Sequence, residues 1–228
     1  MTAIVRIEGL SKVYQQEAIA VHAVNDVNLT IEAGDFVALV GPSGSGKTTL
    51  LNLIGGLDTP TAGRIWLGDQ EITQLSKAAM SDLRLRKIGF VFQEYNLIPV
   101  LSALENVEYV MLLQGVGESE RRIRSMALLK ELGLEGLERR RPKELSGGQQ
   151  QRVAVARAIA AEPLIVLPDE PTANLDSASG AALLELMRKL NDEKGVTFIF
   201  STHDPMVMQK AKRIIRMKDG QIVEQVVQ

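Results

Sequence analysis

The stretch that decides the fold is residues 36–48, which read FVALVGPSGSGKT. The first five residues are continuously apolar, as in a strand that is buried on both faces of a parallel sheet. Residues 41–48 match the pattern G-x-x-x-x-G-K-[ST], and helical periodicity follows over residues 47–54. A strand before and a helix after are the context that a phosphate-binding loop requires. The alternative is a glycine-rich turn that matches by chance, and the flanking strand and helix argue against it.

The chemistry of such a loop comes from its backbone and from two side chains. Glycines let the backbone N–H groups point at phosphate oxygens, and the N-terminal end of the following helix adds positive potential. Lys47 is expected to reach the β- and γ-phosphates, and the Thr48 hydroxyl is expected to bind Mg²⁺. The sequence therefore predicts a site for a nucleoside triphosphate.

Two carboxylates follow a second predicted buried strand. Residues 164–167 are apolar and lead through Pro168 into Asp169 and Glu170. At the carboxyl edge of a parallel sheet, Asp169 would hold Mg²⁺, directly or through water, and Glu170 would polarise the attacking water. The alternative is an acidic turn after a strand, which the presence of a phosphate loop disfavours. Because proline cannot donate to a sheet ladder, we expect the strand to end at about Leu167.

Composition places the chain among ordinary globular proteins. Of 228 residues, 45% are hydrophobic and 24% are charged, with a formal net charge of −2 and no cysteine. Disulfides, thiolate catalysis and cysteine-based zinc sites are therefore excluded, and no basic surface for nucleic acid is indicated. No apolar run approaches the ~20 residues of a membrane-spanning helix, and the N-terminus lacks the apolar region of a signal peptide. We expect a cytoplasmic chain with no nucleic-acid partner and no membrane span of its own.

The order of strand and helix patterns predicts an α/β fold with a parallel sheet. Residues 3–8 and 26–32 alternate apolar and polar side chains, as half-exposed strands do. Residues 97–161 are mostly helical in pattern, residues 179–193 and 196–200 continue with a helix and a strand, and Asp219-Gly220 predicts a closing hairpin. The helical spacing in the first of these regions is carried by Leu104, Val107, Val110, Met111, Leu112, Ile123, Met126, Leu129 and Leu132. We predict one folding unit with a helical insertion.

A second candidate anion site lies about 100 residues beyond the phosphate loop, at Leu145-Ser146-Gly147-Gly148-Gln149. This pentapeptide stands at the start of a helical run, where Ser146 is a natural N-cap. Adjacent glycines expose N–H groups at a helix N-terminus, which suits a phosphate. Because the chain already has one phosphate loop, a second anion site makes sense if it covers the nucleotide of another copy. On its own, the pentapeptide would be only a capped helix start.

These motifs, in this order and at this spacing, resemble the nucleotide-binding domain of ABC transporters from about Ile4 to Val223. The resemblance implies a P-loop NTPase core with a mainly parallel sheet, an N-terminal antiparallel β-subdomain and a helical insertion subdomain. The core of this single domain would comprise about residues 1–93 and 163–228, and the helical subdomain about residues 94–162. The resemblance also implies ATP hydrolysis with Mg²⁺ by a homodimer that forms on ATP binding.

Further roles are implied by the resemblance at residues that no pattern singles out. Tyr14 would stack on adenine, and Gln93 would touch Mg²⁺ and the attacking water. His203 would contact the γ-phosphate, and Asp176 would lie in the loop through which the two subunits sense each other. Each residue has a structural alternative, respectively a strand aromatic, a polar strand end, a structural histidine and a helix N-cap. His22 matches nothing and receives no role.

The predicted site then has three overlapping sets of residues. The predicted catalytic residues are Lys47, Gln93, Glu170 and His203. The predicted metal ligands are Thr48, Gln93 and Asp169. The predicted nucleotide-binding residues are Tyr14, Gly41, Pro42, Ser43, Gly44, Ser45, Gly46, Lys47, Thr48, Thr49, Ser146, Gly147, Gly148, Gln149 and Asp176.

Residues 95–107 resemble one branch of the family, the ATPases of lipoprotein-releasing and macrolide-exporting systems. The partners in that branch are integral membrane permeases, so the resemblance implies a chain held at the inner face of the membrane and export or extraction work. An ABC-type ATPase of DNA repair would need a long coiled-coil insertion, and a translation-linked one would carry two tandem domains. Neither fits this chain. A module that senses nucleotide without catalysis is a further alternative, against which Glu170 argues.

Overall fold

The computed structural model describes residues 2–16 and 19–228, and in them ten strands form two sheets that are accompanied by seven α-helices. The strands are β1 Ala3–Gln16, β2 Ile19–Glu32, β3 Phe36–Val40, β4 Ala62–Leu67, β5 Gln70–Glu71, β6 Ile88–Val91, β7 Ile165–Pro168, β8 Thr197–Thr202, β9 Arg213–Lys218 and β10 Gln221–Val227. The helices are α1 Lys47–Ile54, α2 Lys77–Lys87, α3 Ala103–Leu113, α4 Glu118–Glu131, α5 Gly147–Ala160, α6 Ser177–Lys194 and α7 Pro205–Lys210. The predicted strand β3 and helix α1 have the observed bounds.

The larger sheet has the strand order β10-β9-β3-β8-β7-β6, with β3, β6, β7, β8 and β9 parallel and only the edge strand β10 antiparallel. All five residues of β3 are buried, as the continuously apolar run predicts. Because β3, β7 and β8 run in the same direction, their carboxyl ends meet at one edge of the sheet. The phosphate loop follows β3 there, and the acidic pair follows β7.

The smaller sheet is antiparallel, in the order β2-β1-β4-β5, and forms the predicted N-terminal β-subdomain. Its first two strands are much longer than the predicted residues 3–8 and 26–32. The pairing of β1 with β2 shifts register three times between Ile7 and Val13, which breaks the apolar–polar alternation although the pairing continues. A search for strict alternation therefore stops too early.

The two faces of β3 divide the core into two clusters. Phe36, Ala38 and Val40 face a cluster that includes Phe198, Phe200 and the buried sides of α3, α5 and α6. Val37 and Leu39 face a cluster shared with α1 and the antiparallel sheet. Successive strand residues point to opposite faces, so one apolar run holds both layers together.

The helical insertion lies between β6 and β7, as predicted. Leu104, Val107 and Met111 are buried against α5 and its neighbours. The apolar spacing predicted for α4 was wrong at Ile123 and Met126, which are 71% and 40% exposed. The buried side of α4 is instead made by Ser125, Leu129 and the following Leu132, because only that side faces the rest of the subdomain. Leu112 of α3 is also half exposed.

The strand β7 continues one residue beyond its predicted end at Leu167. Pro168 is in register with Val91 of β6. The residue after it, Asp169, donates its N–H to Val91 O at 2.9 Å. Alternate residues of a parallel strand direct their N–H groups to opposite neighbours, so the N–H that Pro168 lacks would point toward β8. The β7–β8 ladder is interrupted there and resumes at the bridge between Asp169 and Ser201. Proline therefore removes a bond on one side only.

The predicted hairpin at Asp219-Gly220 joins β9 to β10, with φ angles of 49° and 78° as a type I′ turn requires. None of the helices in residues 2–16 and 19–228 has the length and apolar character needed to cross a membrane.

Candidate nucleotide site

The phosphate loop, residues 41–48, connects the carboxyl end of β3 to α1 and lies against β2 and the β9–β10 hairpin. A Cβ atom at Gly46 would lie 2.1 Å from Ala23 O, and one at Gly41 would lie 2.2 Å from Met217 O. In the turn of the hairpin, the N–H of Gly220 donates to Ser45 O of the loop at 3.2 Å. The loop needs glycine at these two positions because neighbouring backbone occupies the space of a side chain.

We expect Gly46→Ala to lower the free energy of unfolding by about 2–4 kcal/mol, because a clash with backbone adds to left-handed strain at φ 98°. Gly44→Ala is the matched control, since Gly44 also has a positive φ of 78° but has open space where its Cβ would lie. The control should cost only about 1–2 kcal/mol, the strain alone. Thermal unfolding of both variants checks this, and equal destabilisation would contradict the proposed contact with β2.

Lys47 holds the loop from within. Its side chain is buried, and Nζ donates to Gly41 O at 2.9 Å and to Pro42 O at 3.0 Å. The N-cap of α1 is Gly46, so the N–H groups of the first turn of α1 have no side-chain cap in the described structure. Ser45 Oγ is buried and has no hydrogen-bond partner among the described residues. Unpaired donors beside a buried ammonium group suit a polyphosphate.

Two of the three predicted metal ligands, Thr48 and Asp169, are in direct contact. Thr48 Oγ1 donates to Asp169 Oδ1 at 3.1 Å across the gap between α1 and β7. A hydroxyl and a carboxylate oxygen fit Mg²⁺, which binds few protein ligands and completes its shell with phosphate and water oxygens. Among the described residues, no group of three or more His, Asp or Glu side chains is placed to hold a metal ion by itself. A cation at Thr48 and Asp169 would therefore depend on the oxygens of a bound ligand.

Glu170 has a left-handed backbone, with φ 47°, two residues after the end of β7. Such a conformation costs a non-glycine residue about 1–3 kcal/mol and is often found at functional sites. The N–H of Glu170 donates to Ser201 O at 2.9 Å, which fixes the turn against β8. The carboxylate Oε1 lies 2.7 Å from His203 Nδ1, and Thr202 Oγ1 lies 3.5 Å from Oε2. Residues at the ends of β7 and β8 thus orient one carboxylate toward the loop.

A cleft of about 650 Å³ joins these groups. Its lining residues are Val21, His22, Ala23, Gly41, Pro42, Ser43, Gly44, Gly46, Lys47, Thr48, Thr49, Gln93, Glu170, Ala173 and His203. Gln93, which follows β6, and His203, which follows β8, therefore lie beside the phosphate loop. Sequence reasoning missed the β2 residues, including His22, to which no role was given. The hairpin register would have found them, because Val21 pairs with Tyr14 and His22 with Val13.

Tyr14 of β1 is not among the residues that line this cleft, but it pairs with Val21, which does, and it is 36% exposed. Its hydroxyl donates to Asp58 Oδ2 at 2.6 Å, and Lys12 Nζ lies 4.8 Å from the ring centroid. Partial burial and the bond to Asp58 raise the pKa of the Tyr14 phenol. Partial burial of Asp58 opposes its ionisation, but hydrogen bonds from Lys12 and Tyr14 outweigh this and lower the pKa of its carboxyl. The Tyr14 ring is thus held through its hydroxyl by Asp58, which is itself paired with Lys12.

The segment 146–149 is separate from the cleft of its own chain. Ser146 is the N-cap of α5, where its side chain accepts from Gln149 N at 3.3 Å and Gln149 Oε1 accepts from Ser146 N at 2.9 Å. Asp176 is likewise the N-cap of α6, and its Oδ1 accepts from Ser179 N at 2.9 Å. Hydrogen bonds from Ser179 lower the pKa of the Asp176 carboxyl. The N-cap interpretations of Ser146 and Asp176 are therefore confirmed, and neither side chain lines the cleft.

The parallel sheet, the glycine loop with its buried lysine and the two carboxylates define a nucleotide-binding protein of the phosphate-loop class. Residues 24–173 match the family model described as ABC transporter. The macrolide export ATP-binding/permease protein MacB of Mannheimia succiniciproducens is 47% identical over 221 residues, which are 97% of this chain and 34% of that relative. This chain thus spans about a third of the length of the MacB relatives that it matches.

Two further comparisons cover nearly whole chains. The ABC transporter ATP-binding protein MJ0796 of Methanocaldococcus jannaschii is 45% identical over 222 residues, which are 96% of this chain and 94% of that one. The dimeric structure of a post-hydrolysis state of the MJ0796 cassette bound to ADP and Pi has a TM-score of 0.90 at 43% identity, over 98% of both chains. This chain belongs to the ABC transporter family.

Proposed function

We propose that two copies of this chain enclose two ATP molecules and drive a membrane permease that exports or extracts its substrate. The observation that carries the proposal is the division of the predicted site. The phosphate loop, the Thr48–Asp169 pair and the Glu170–His203 pair adjoin one cleft, whereas residues 146–149 lie outside it. A second phosphate-binding segment that does not reach its own nucleotide is suited to the nucleotide of another copy.

Mg²⁺ would be held by Thr48 and Asp169, with Gln93 beside them, and when bound it supplies positive charge to the β- and γ-phosphate oxygens. Lys47 and the N–H groups of residues 41–48 would bind the same phosphates from the side of the loop. Tyr14 would stack on adenine, and the bond from its hydroxyl to Asp58 fixes the ring for that contact. These assignments agree with the donors and acceptors that the cleft presents.

Glu170 would accept the proton of the attacking water. Its Oε1 is occupied by His203, so Oε2, which has only the long contact to Thr202, is the oxygen that we assign to the water. His203 then orients Glu170 and stands at the mouth of the cleft, where it can also meet the γ-phosphate. Lys47 and the loop N–H groups would stabilise the charge on the transferring phosphoryl group.

A permease partner is supported by the MacB relatives, whose printed name joins an ATP-binding part and a permease part in one protein. We place this chain at the inner face of the membrane, bound to such a permease. Asp176 and the preceding loop would lie where the two copies meet. Co-purification of a membrane protein with the tagged chain tests the assignment, and ATPase activity that no membrane protein accompanies or stimulates would favour an ABC-type ATPase without a transport role.

Residues 146–149 offer the sharpest test of the shared site. Ser146→Asp keeps an N-cap acceptor for α5 but places a negative charge where the phosphates of the other copy would lie. We expect ATP-dependent dimerisation and ATP turnover to fall at least about tenfold, because like charges in contact cost several kcal/mol. Light scattering with ATP and steady-state hydrolysis measure the two effects.

Ser102→Asp is the matched control for this variant. Ser102 caps α3 in the same way, with Glu105 completing the capping box, but it does not line the cleft and belongs to a different helix start from residues 146–149. It should dimerise and hydrolyse ATP as the parent does. Normal dimerisation and turnover of Ser146→Asp would contradict the shared site.

A further inference from the structure

The backbone that follows Gln93 has an unusual conformation. Tyr95 and Asn96 have φ angles of 60° and 47°, and among the described residues they are the only two consecutive non-glycine residues with positive φ. L-residues disfavour this conformation, so it persists only where surrounding contacts impose it. The segment begins two residues after Gln93, a side chain that lines the cleft. Whatever holds Tyr95 and Asn96 therefore also limits where Gln93 can lie.

Arg157 of α5 donates hydrogen bonds to both of these residues. Its guanidinium donates through Nη2 to Tyr95 O at 2.9 Å and through Nη1 to Asn96 O at 2.5 Å. Desolvation lowers the pKa of Arg157, and no carboxylate in the described part of the chain pairs with it. A partly buried cation whose hydrogen bonds go to two adjacent carbonyl oxygens is a rigid, two-point clamp on the backbone.

Two other side chains hold the residues on the other side of this turn. Gln151, also on α5 and fully buried, donates through Nε2 to Phe92 O at 3.3 Å. Asn174, which precedes α6, donates through Nδ2 to Gln93 O at 3.0 Å. The carbonyl groups on both sides of the Gln93 side chain are thus held by side chains from other elements, and two of the three residues involved belong to α5.

The same helix carries the segment proposed to bind the nucleotide of the other copy. Gly147 is the first residue of α5, and a Cβ atom there would lie 2.8 Å from Tyr95 Oη. Tyr95 therefore meets α5 at two places. Its hydroxyl lies beside the first turn of the helix, and its carbonyl oxygen accepts from Arg157 in the last turn. A displacement of α5 would therefore also move the side chains that bond to the backbone of residues 92–96.

We propose that Arg157 is a positioning residue for ATP hydrolysis, which holds Gln93 in register with α5 through the strained backbone at Tyr95 and Asn96. The inference rests on the proposed function of Gln93 and of residues 146–149. Its consequence is that Gln93 reaches its working place only when α5 is correctly seated. Arg157 itself does not line the cleft.

The test is a double-substitution cycle with Arg157→Lys and Gln93→Ala. Lysine keeps the charge but cannot bond to both carbonyl oxygens, so we expect kcat to fall about tenfold, within the range that small misplacements cause, while KM for ATP changes less than about twofold. The double variant should be no slower than Gln93→Ala alone, because Arg157 acts only through Gln93. Steady-state ATPase kinetics of the full chain and thermal unfolding are measured for each protein.

Arg188→Lys is the matched control. Arg188 of α6 is also partly buried and donates to a backbone carbonyl oxygen, Lys210 O at 2.7 Å, but its hydrogen bonds go to α7 and to its own helix rather than to α5 or to residues 92–96. It should leave kcat at the parent value. Equal losses of kcat in the two arginine variants, or a loss from Arg157→Lys that adds in full to that from Gln93→Ala, would overturn the inference alone. A Gln93→Ala chain that turns over at the parental rate would overturn the assignment of Gln93 as well.

Asn96→Gly is the second variant, in case Arg157→Lys does not fold. Glycine accepts φ 47° without strain, but it also adopts many other φ values. The backbone of the turn therefore becomes more flexible, although the carbonyl oxygens that accept from Arg157 are kept. We expect kcat to fall severalfold while the melting temperature stays near that of the parent. A variant with parental kcat would show that the constraint on Asn96 has no part in the reaction.

Discussion

Replacing Glu170 with glutamine is expected to lower ATP turnover by about 10²–10⁴-fold, the range for removal of a general base. Glutamine has the size of glutamate and can keep the contact to His203, but it cannot accept a proton from water. Binding groups in residues 41–48 are untouched, so ATP should still bind. Because hydrolysis is slow, the ATP-bound dimer should accumulate, which light scattering and single-turnover kinetics can measure together.

Glu162→Gln is the control for this experiment. Glu162 has the same left-handed backbone, with φ 52°, but it lies beyond α5 in an exposed ion pair with Arg124. Loss of such a pair costs at most about 1 kcal/mol and should not change turnover. If Glu170→Gln hydrolysed ATP at the parental rate, Glu170 would not be the base, and the assignment of Oε2 to the water would fall with it.

Lys47→Ala is expected to weaken ATP binding by about 10–100-fold. Hydrogen bonds to a charged group contribute about 1.5–3 kcal/mol, and each 1.4 kcal/mol is a factor of ten in affinity. The substitution also leaves Gly41 O and Pro42 O without their donor, so a lower melting temperature is expected in the absence of nucleotide. Fluorescence titration with an ATP analogue and thermal unfolding separate the two effects.

Lys194→Ala removes a lysine of similar reach that pairs with Glu131 on the surface between α6 and α4. Its ATP affinity should equal that of the parent. Undiminished affinity in Lys47→Ala would show that the loop does not bind the triphosphate in the proposed way, whatever its effect on stability.

The motif regions of the sequence predicted most of the residues that the structure brings together at the cleft. Residues 36–54 predicted the strand, the loop and the helix with their observed bounds, because a fully apolar strand, a glycine loop and a helix start have strong local signals. The contact between Thr48 and Asp169 also follows from parallel strands whose carboxyl ends meet. The catalytic roles of Gln93, Glu170 and His203 stay predictions until the variants are measured.

Local pattern failed where distant packing decided the outcome. The long strands β1 and β2 are held by pairing across register shifts, and Ile123 and Met126 look like core residues until the direction of α4 is known. The strand β7 passes through Pro168 because only the ladder with β8 loses a bond. In each case the residue type is compatible with two outcomes, and a neighbour far away in sequence selects one.

What the sequence by itself determined is the class of chemistry: a backbone that binds phosphate, a lysine, two carboxylates, and a capped helix start that resembles a second phosphate site. These depend on short-range geometry, which a few adjacent residues control. Only the tertiary structure decided that His203 contacts Glu170, that Tyr14 contacts Asp58, and that Arg157 holds the backbone after Gln93. Those contacts join residues more than 30 positions apart, and their distances are set by how the sheets and helices pack rather than by any local pattern.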